Sequence, residues 1–143
     1  LRLGSAVTCP NALSGTGSGH LYWANDPVPN APSDTINKAP LGSSSAQTIV
    51  QLQDGPWGVT ASASHLYWAN ADGGTIVEAD LDGANPHVLV TGQKEPTGIA
   101  VNGSHIYWVS TGQGIIWKAN LDGTGTRVII VGQKNANGIA IGP

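Results

Sequence analysis

Residues 64–83 read SHLYWANADGGTIVEADLDG, and forty residues later residues 104–123 read SHIYWVSTGQGIIWKANLDG. The Tyr-Trp pair, the isoleucine near the middle and the closing Leu-Asp-Gly all return in register. A fixed period of this size means that one supersecondary unit is being stacked, so the repeat must be understood before any single residue.

The period runs outward in both directions. Gly58, Gly98 and Gly138 each open a Gly-(Val/Ile)-(Thr/Ala) step, Gln53, Gln93 and Gln133 precede them, and Ile36, Ile76 and Ile116 share one register, as do Ala39, Ala79 and Ala119. An earlier copy, GHLYWAN at residues 19–25, lies forty-five residues before its counterpart; the five additional residues fall in residues 26–34. Within a unit, apolar residues alternate over short runs broken by Gly, Pro, Asn or Asp, the pattern of strands and turns. For the third unit this predicts strands at 98–101, 105–110, 114–120 and 127–131. Asn102-Gly103 and Asp122-Gly123 supply the dipeptides that accept the positive φ of a tight hairpin. No segment keeps a helical period, so the expected class is all-β.

Composition agrees. The 143 residues include 20 glycines and 9 prolines, no Met or Phe, and only 10% charged residues, far fewer than the usual quarter or so. Six Lys and Arg stand against nine Asp and Glu, which leaves no basic footprint for nucleic acid or an anionic membrane. No apolar run is long enough for a spanning helix. The sequence begins at Leu1 and shows no basic-then-apolar leader, which suggests a mature product or a piece of a longer chain. Cys9 is the single cysteine, open to a free buried thiol or an intermolecular bridge.

Four short antiparallel strands at this period describe a β-propeller blade. The unit resembles the YWTD repeat of low-density-lipoprotein-receptor-type six-bladed propellers. The resemblance rests on Tyr22-Trp23, Tyr67-Trp68 and Tyr107-Trp108, on the Gly-x-Ile step, on Leu81-Asp82-Gly83 and Leu121-Asp122-Gly123, and on the Pro-x-Gly-Ile-Ala at 96–100. NHL-type propellers are the nearest competitor. Where the YWTD family has Thr-Asp, this chain has Ala24-Asn25, Ala69-Asn70 and Val109-Ser110, so the family's ligand contacts do not transfer residue by residue. What the resemblance implies is an extracellular or cell-surface interaction domain.

The expected organisation is a single propeller-type domain: an N-terminal segment 1–18 with room for a first strand, blades at 19–57, 58–97 and 98–137, and a closing strand at 138–143. Three blades cannot close a ring, and an open arc leaves two apolar blade faces in water. Either two identical chains pair into a six-bladed ring, or the chain is part of a longer propeller. Trp117, Gly138, Ile139 and Ile141 are the expected contacts of an oligomer interface.

Strand parity puts the loops between blades and the second-to-third-strand turns on one face, the irregular one. Trp57 breaks the repeat there, since Thr97 and Asn137 are its counterparts; it reads as a stacking platform for a sugar or peptide or as a plug of the channel mouth. Together with Asp26, Asn30, Asp34, Asp54, Lys94 and Glu95 it forms the candidate ligand-binding set. Trp117 also breaks the pattern and suits an interface or packing on the outer sheet. His20, His65 and His105 recur in phase, one strand removed from the axis and without companions at ligand spacing, and read as structural. Asp80-x-Asp82-Gly83 lacks the remaining calcium-loop carboxylates and reads as a turn. Gly15-x-Gly17-x-Gly19 precedes a strand and lacks the lysine of a phosphate loop.

No catalytic set, metal site or cofactor is expected from these residues. The leading functional expectation is a non-catalytic module binding a protein or glycan. A self-assembling protein whose blade faces form closed dimers or polymers is the alternative, and a propeller lyase or hydrolase is the third.

Overall fold

A computed structural model describes residues 19–25 and 34–143, together with the backbone of 10–15. Its strands are β1 (Pro10–Gly15), β2 (His20–Asn25), β3 (Thr35–Pro40), β4 (Gln47–Val50), β5 (Pro56–Ala61), β6 (His65–Asn70), β7 (Thr75–Asp80), β8 (His87–Val90), β9 (Pro96–Val101), β10 (His105–Ser110), β11 (Ile115–Asn120) and β12 (Arg127–Ile130). They form three four-stranded antiparallel meanders, β1–β4, β5–β8 and β9–β12, and among the described residues there is no helix.

The predicted 105–110 strand coincides with β10, and the other three differ from their strands by one or two residues at an end. β1 takes the first-strand place that the sequence left open within 1–18. The expected closing strand at 138–143 has no sheet partner among the described residues; Asn137 and Gly138 instead lie against Gly98.

Alternation along each strand decides which neighbour a side chain meets. Tyr22, Ala24, Ile36 and Val50 of the first blade pack on Val59, Leu66, Trp68, Val77 and Ala79 of the second. One period later, Tyr67, Ala69, Ile76 and Val90 pack on Ile99, Ile106, Trp108 and Ala119. The tyrosine of each pair thus faces the next blade and the tryptophan the preceding one. Trp68 and Trp108 are completely buried, each contributing up to about 4 kcal/mol of apolar transfer.

The first strands of successive blades run side by side, β1 by β5 and β5 by β9. Glycine is needed there for space: a Cβ on Gly58 would strike the Thr97 carbonyl oxygen, and one on Gly98 would come within 2.7 Å of the Asn137 carbonyl oxygen. At the far edge, Asp80-x-Asp82-Gly83 is a hairpin turn, as expected, with Gly83 N–H donating to the Asp80 carbonyl at 2.9 Å and Ala84 N–H to Asp82 Oδ1 at 2.9 Å. In the third blade the Thr124 hydroxyl and backbone N–H both donate to Asp122, which holds that carboxyl below its ordinary pKa.

Candidate functional site

The loops that carry the chain from one blade to the next are fixed by a repeated bond. Trp68 Nε1 donates to Gln53 Oε1 and Trp108 Nε1 to Gln93 Oε1, each at 2.9 Å. Gln53 Oε1 also accepts from Asn70 Nδ2 at 3.2 Å. A buried indole N–H needs such an acceptor, so each loop is pinned to the core of the blade it leads into.

On these rigid loops the backbone adopts left-handed conformations at fixed places. Gly92 and Gly132 have φ of 71° and 78°, and the equivalent residue in the first loop is Leu52, at φ 58° and 93% exposed. Three residues on, Gly55 and Asn135 have φ of 66° and 62°, and their equivalent is Glu95, at φ 46°. A Leu or Glu held in this region costs about 1–2 kcal/mol relative to the extended or helical wells. Strain of this kind gathers at functional sites, and both residues belong to the irregular face.

Glu95 lines a groove of about 320 Å³ with Gly55, Trp57, Ala71, Asp72, Thr97, Thr111 and Asn137. Its floor is polar and ordered: Thr111 Oγ1 donates to the Ala136 carbonyl at 2.8 Å, so the 2.6 Å contact between Thr97 and Thr111 is a bond donated by Thr97. Two carboxylates approach from opposite loops. The Asp72 carboxylate covers Gly55, where a Cβ would stand 2.7 Å from it, and the Glu95 carboxylate covers Gly112, at 2.5 Å by the same measure. Acid and glycine have changed places between the two seams, and each seam carries one carboxylate beside the half-buried Trp57.

Of the sequence-predicted binding residues, the structure therefore brings Trp57 and Glu95 together. Asp54 stands at the edge, its carbonyl accepting from Gly73 N–H at 3.0 Å, while Lys94 is exposed beside Glu95. Asp34 uses its carbonyl to accept from Gln53 N–H at 3.1 Å, and Asp26 and Asn30 lie outside the described residues, as does Cys9. Asp72 and Leu52 were missed by sequence reasoning. Both were visible as breaks in the repeat, with Gly112 at the place of Asp72 and Gly92 at the place of Leu52. Trp117 stacks on Trp108, with centroids 6.2 Å apart and planes inclined by 6°, so it faces the second blade rather than the open side of the third.

The opposite face holds a larger cleft of about 630 Å³ between the second and third blades. Glu78 lies in it, with Oε1 3.6 Å from His87 Nε2 and 3.9 Å from His65 Nε2. Burial, together with the charge and hydrogen bond of Glu78, pushes the Tyr67 phenol up to about 12. The equivalents of Glu78 are Lys38 and Lys118, a charge reversal that the repeat also displayed. His65 and His105 bond locally, through Nδ1 to Ser64 Oγ at 2.8 Å and to Ser104 Oγ at 2.7 Å. Among the described residues no group of three His, Cys, Asp or Glu side chains is placed to hold a metal, and no helix is long and apolar enough to cross a membrane.

No protein-family model and no curated protein sequence matches the chain. Solved structures do. A nidogen/laminin complex superposes at a TM-score of 0.80 and 23% identity, over 92% of this chain and 52% of that one. These are propeller blades. Selenomethionine-substituted virginiamycin B lyase from Staphylococcus aureus matches at 0.70 and 15% identity, over 92% of this chain and 45% of that one. The computationally designed Ika4 protein matches at 0.69 and 13%, over 99% and 85%. The chain thus spans about half the length of the nidogen/laminin and lyase chains.

Proposed function

We propose that the protein is a non-catalytic extracellular interaction module that binds a protein or glycan through the face carrying Trp57, with its blades of the YWTD type. The observation that carries this reading is the groove in which an indole, two carboxylates from opposite loops and an ordered pair of threonines converge on one rigid face. An aromatic plane flanked by carboxylates suits a basic side chain, by cation–π and charge-assisted bonds, and equally a sugar ring, by stacking and hydroxyl contacts. The nidogen/laminin complex, a protein–protein assembly on a similar fold, supports the protein branch.

The test is binding of the purified chain to an array of glycans and to extracellular-matrix proteins, repeated with Trp57→Ala and with Asp72→Asn. Loss of the same partner in both variants is the expected result. Binding that survives both substitutions for every partner found removes the groove as the site.

A further inference from the structure

The two outer blade faces carry the halves of an interface that the chain already builds twice. Tyr22 and Tyr67 are 2% and 1% exposed, Ile36 and Ile76 are fully buried, and Val50 and Val90 are 7% and 8% exposed, all against the next blade. Their counterparts in the third blade are Tyr107 and Ile116, both half-exposed, and Ile130, at 45%. On the other side, Leu66, Ile106, Trp68 and Trp108 are fully buried against the preceding blade, whereas their counterparts Leu21 and Trp23 are half-exposed.

The loop bond shows the same incompleteness. Gln133 is held as its two equivalents are: its N–H donates to the Gly114 carbonyl at 2.8 Å, as that of Gln93 does to Gly74 at 2.9 Å. Its Nε2 donates to Val131 at 3.2 Å, as that of Gln93 does to Thr91 at 3.3 Å. The acceptor Oε1 is thereby oriented for an indole, and among the described residues no tryptophan N–H reaches it, as Trp68 and Trp108 reach Gln53 and Gln93. Trp23 has the complementary lack: among the described residues no glutamine stands to its indole as Gln53 and Gln93 stand to Trp68 and Trp108.

We infer that a second copy of this chain docks its first blade on the third blade of the other, with Trp23 Nε1 of one copy donating to Gln133 Oε1 of its partner. The contact continues the two blade interfaces inside the chain, with tyrosine, isoleucine and tryptophan at the same positions and with Asn37 where the second and third blades have Val77 and Trp117. A head-to-tail contact closes when its rotation closes, and three blades span about half of the nidogen/laminin and lyase chains, so two copies complete one ring of that size with both seams filled. Asn137 and Gly138 lie against Gly98 as Thr97 and Ile99 lie against Gly58. They hold the place of the next first strand, and either they or the partner's β1 must take that place in the pair.

Light scattering on the purified chain across a concentration series tests this. The expected mass is twice 14.6 kDa. Gln133→Ala, which changes an exposed residue, and Trp23→Phe, which keeps the ring and removes the N–H, each weaken pairing about tenfold or more. A folded monomer at all concentrations overturns the pairing itself, as does a mass that grows past two copies, which would mean an open chain of blades or another mode of aggregation. A dimer unaffected by both substitutions leaves self-pairing intact but overturns the Trp23–Gln133 contact.

Discussion

Trp108 Nε1 donates to Gln93 Oε1 at 2.9 Å, across fifteen residues of sequence and from the centre of one blade to the loop that leads into it. The indole is completely buried, so deleting the acceptor strands a donor without water. Gln93→Ala is expected to cost about 1–3 kcal/mol, read as a fall in the urea midpoint at constant slope. Below the concentration at which copies pair, Gln133→Ala should leave the midpoint within about 0.5 kcal/mol of wild type. Equal losses from both substitutions would refute the role assigned to the bond.

The close approach of the inner strands gives a second expectation. A Cβ at Gly58 meets the Thr97 carbonyl oxygen, in a stretch of β9 whose flanking residues Pro96 and Ile99 are paired to β10. Gly58→Ala should therefore destabilise by about 1–3 kcal/mol. Gly98→Ala meets residues 137 and 138, which are in no sheet, and should cost less. Thermal unfolding of the two variants decides the order, and an equal or larger loss at Gly98 would mean that the terminal segment is as firmly held as a strand.

Much of this fold was legible because the chain repeats itself. Alternation and the Asn-Gly and Asp-Gly turns locate β10 to the residue. The first strand was less legible, since Pro10–Gly15 lacks the Gly-Ile-Ala step that marks β9 and only its pairing with β2 reveals it. Trp117 suits an outer or interface place by its break in the repeat alone, and only its pairing with Trp108 shows that it faces the second blade. The groove was half legible. Trp57 and Glu95 stood out by residue type, whereas Asp72 required knowing that its turn folds over Gly55. The left-handed backbone of Leu52 and Glu95 is imposed by the loop, and neither residue type announces it.

Tyr67 supplies a pH dependence. Burial first, then Glu78, raises its phenol from 10.0 to about 12 on folding, so the folded state keeps its proton where the unfolded chain releases it. The associated stability is complete below pH 10 and is lost as pH rises from 10 to about 12. Glu78→Lys gives the second blade the residue of the other two, and Lys118 shows the geometry, with Nζ 5.7 Å from the centroid of the Tyr107 ring. The variant should lower the Tyr67 pKa and cost less than about 1 kcal/mol in stability. The difference in phenolate absorbance between wild type and variant isolates this tyrosine, and superimposable titrations would remove Glu78 as a cause.

Leu52 carries a left-handed φ while 93% exposed, so its side chain supports nothing within the chain. Leu52→Gly relieves the backbone and loosens the unfolded chain, two effects of opposite sign and similar size. The expected outcome is a stability between unchanged and about 1 kcal/mol higher. A clear loss of stability would mean that the exposed leucine is packed in the assembled protein, which the concentration dependence of the unfolding midpoint would reveal.

Glu95 separates stability from binding at the groove itself. Its backbone conformation is that of Gly55 and Asn135, so glycine or asparagine fits the same place in the loop. The Thr111 N–H that donates to the Glu95 carbonyl at 3.1 Å uses only the backbone, and Glu95→Asn keeps it. The variant should unfold at an equal or slightly higher urea concentration, with a gain of up to about 1 kcal/mol. What it loses is one of the two carboxylates beside Trp57. For a basic or hydroxyl-bearing partner, removal of one charge-assisted bond weakens binding by about tenfold or more, chiefly through faster dissociation. Titration calorimetry with the partner recovered by the wild-type chain checks the loss, and the same titration at high salt sorts the cause. A basic partner should lose most of the Glu95 contribution to screening, whereas a sugar held by hydroxyl contacts should keep it.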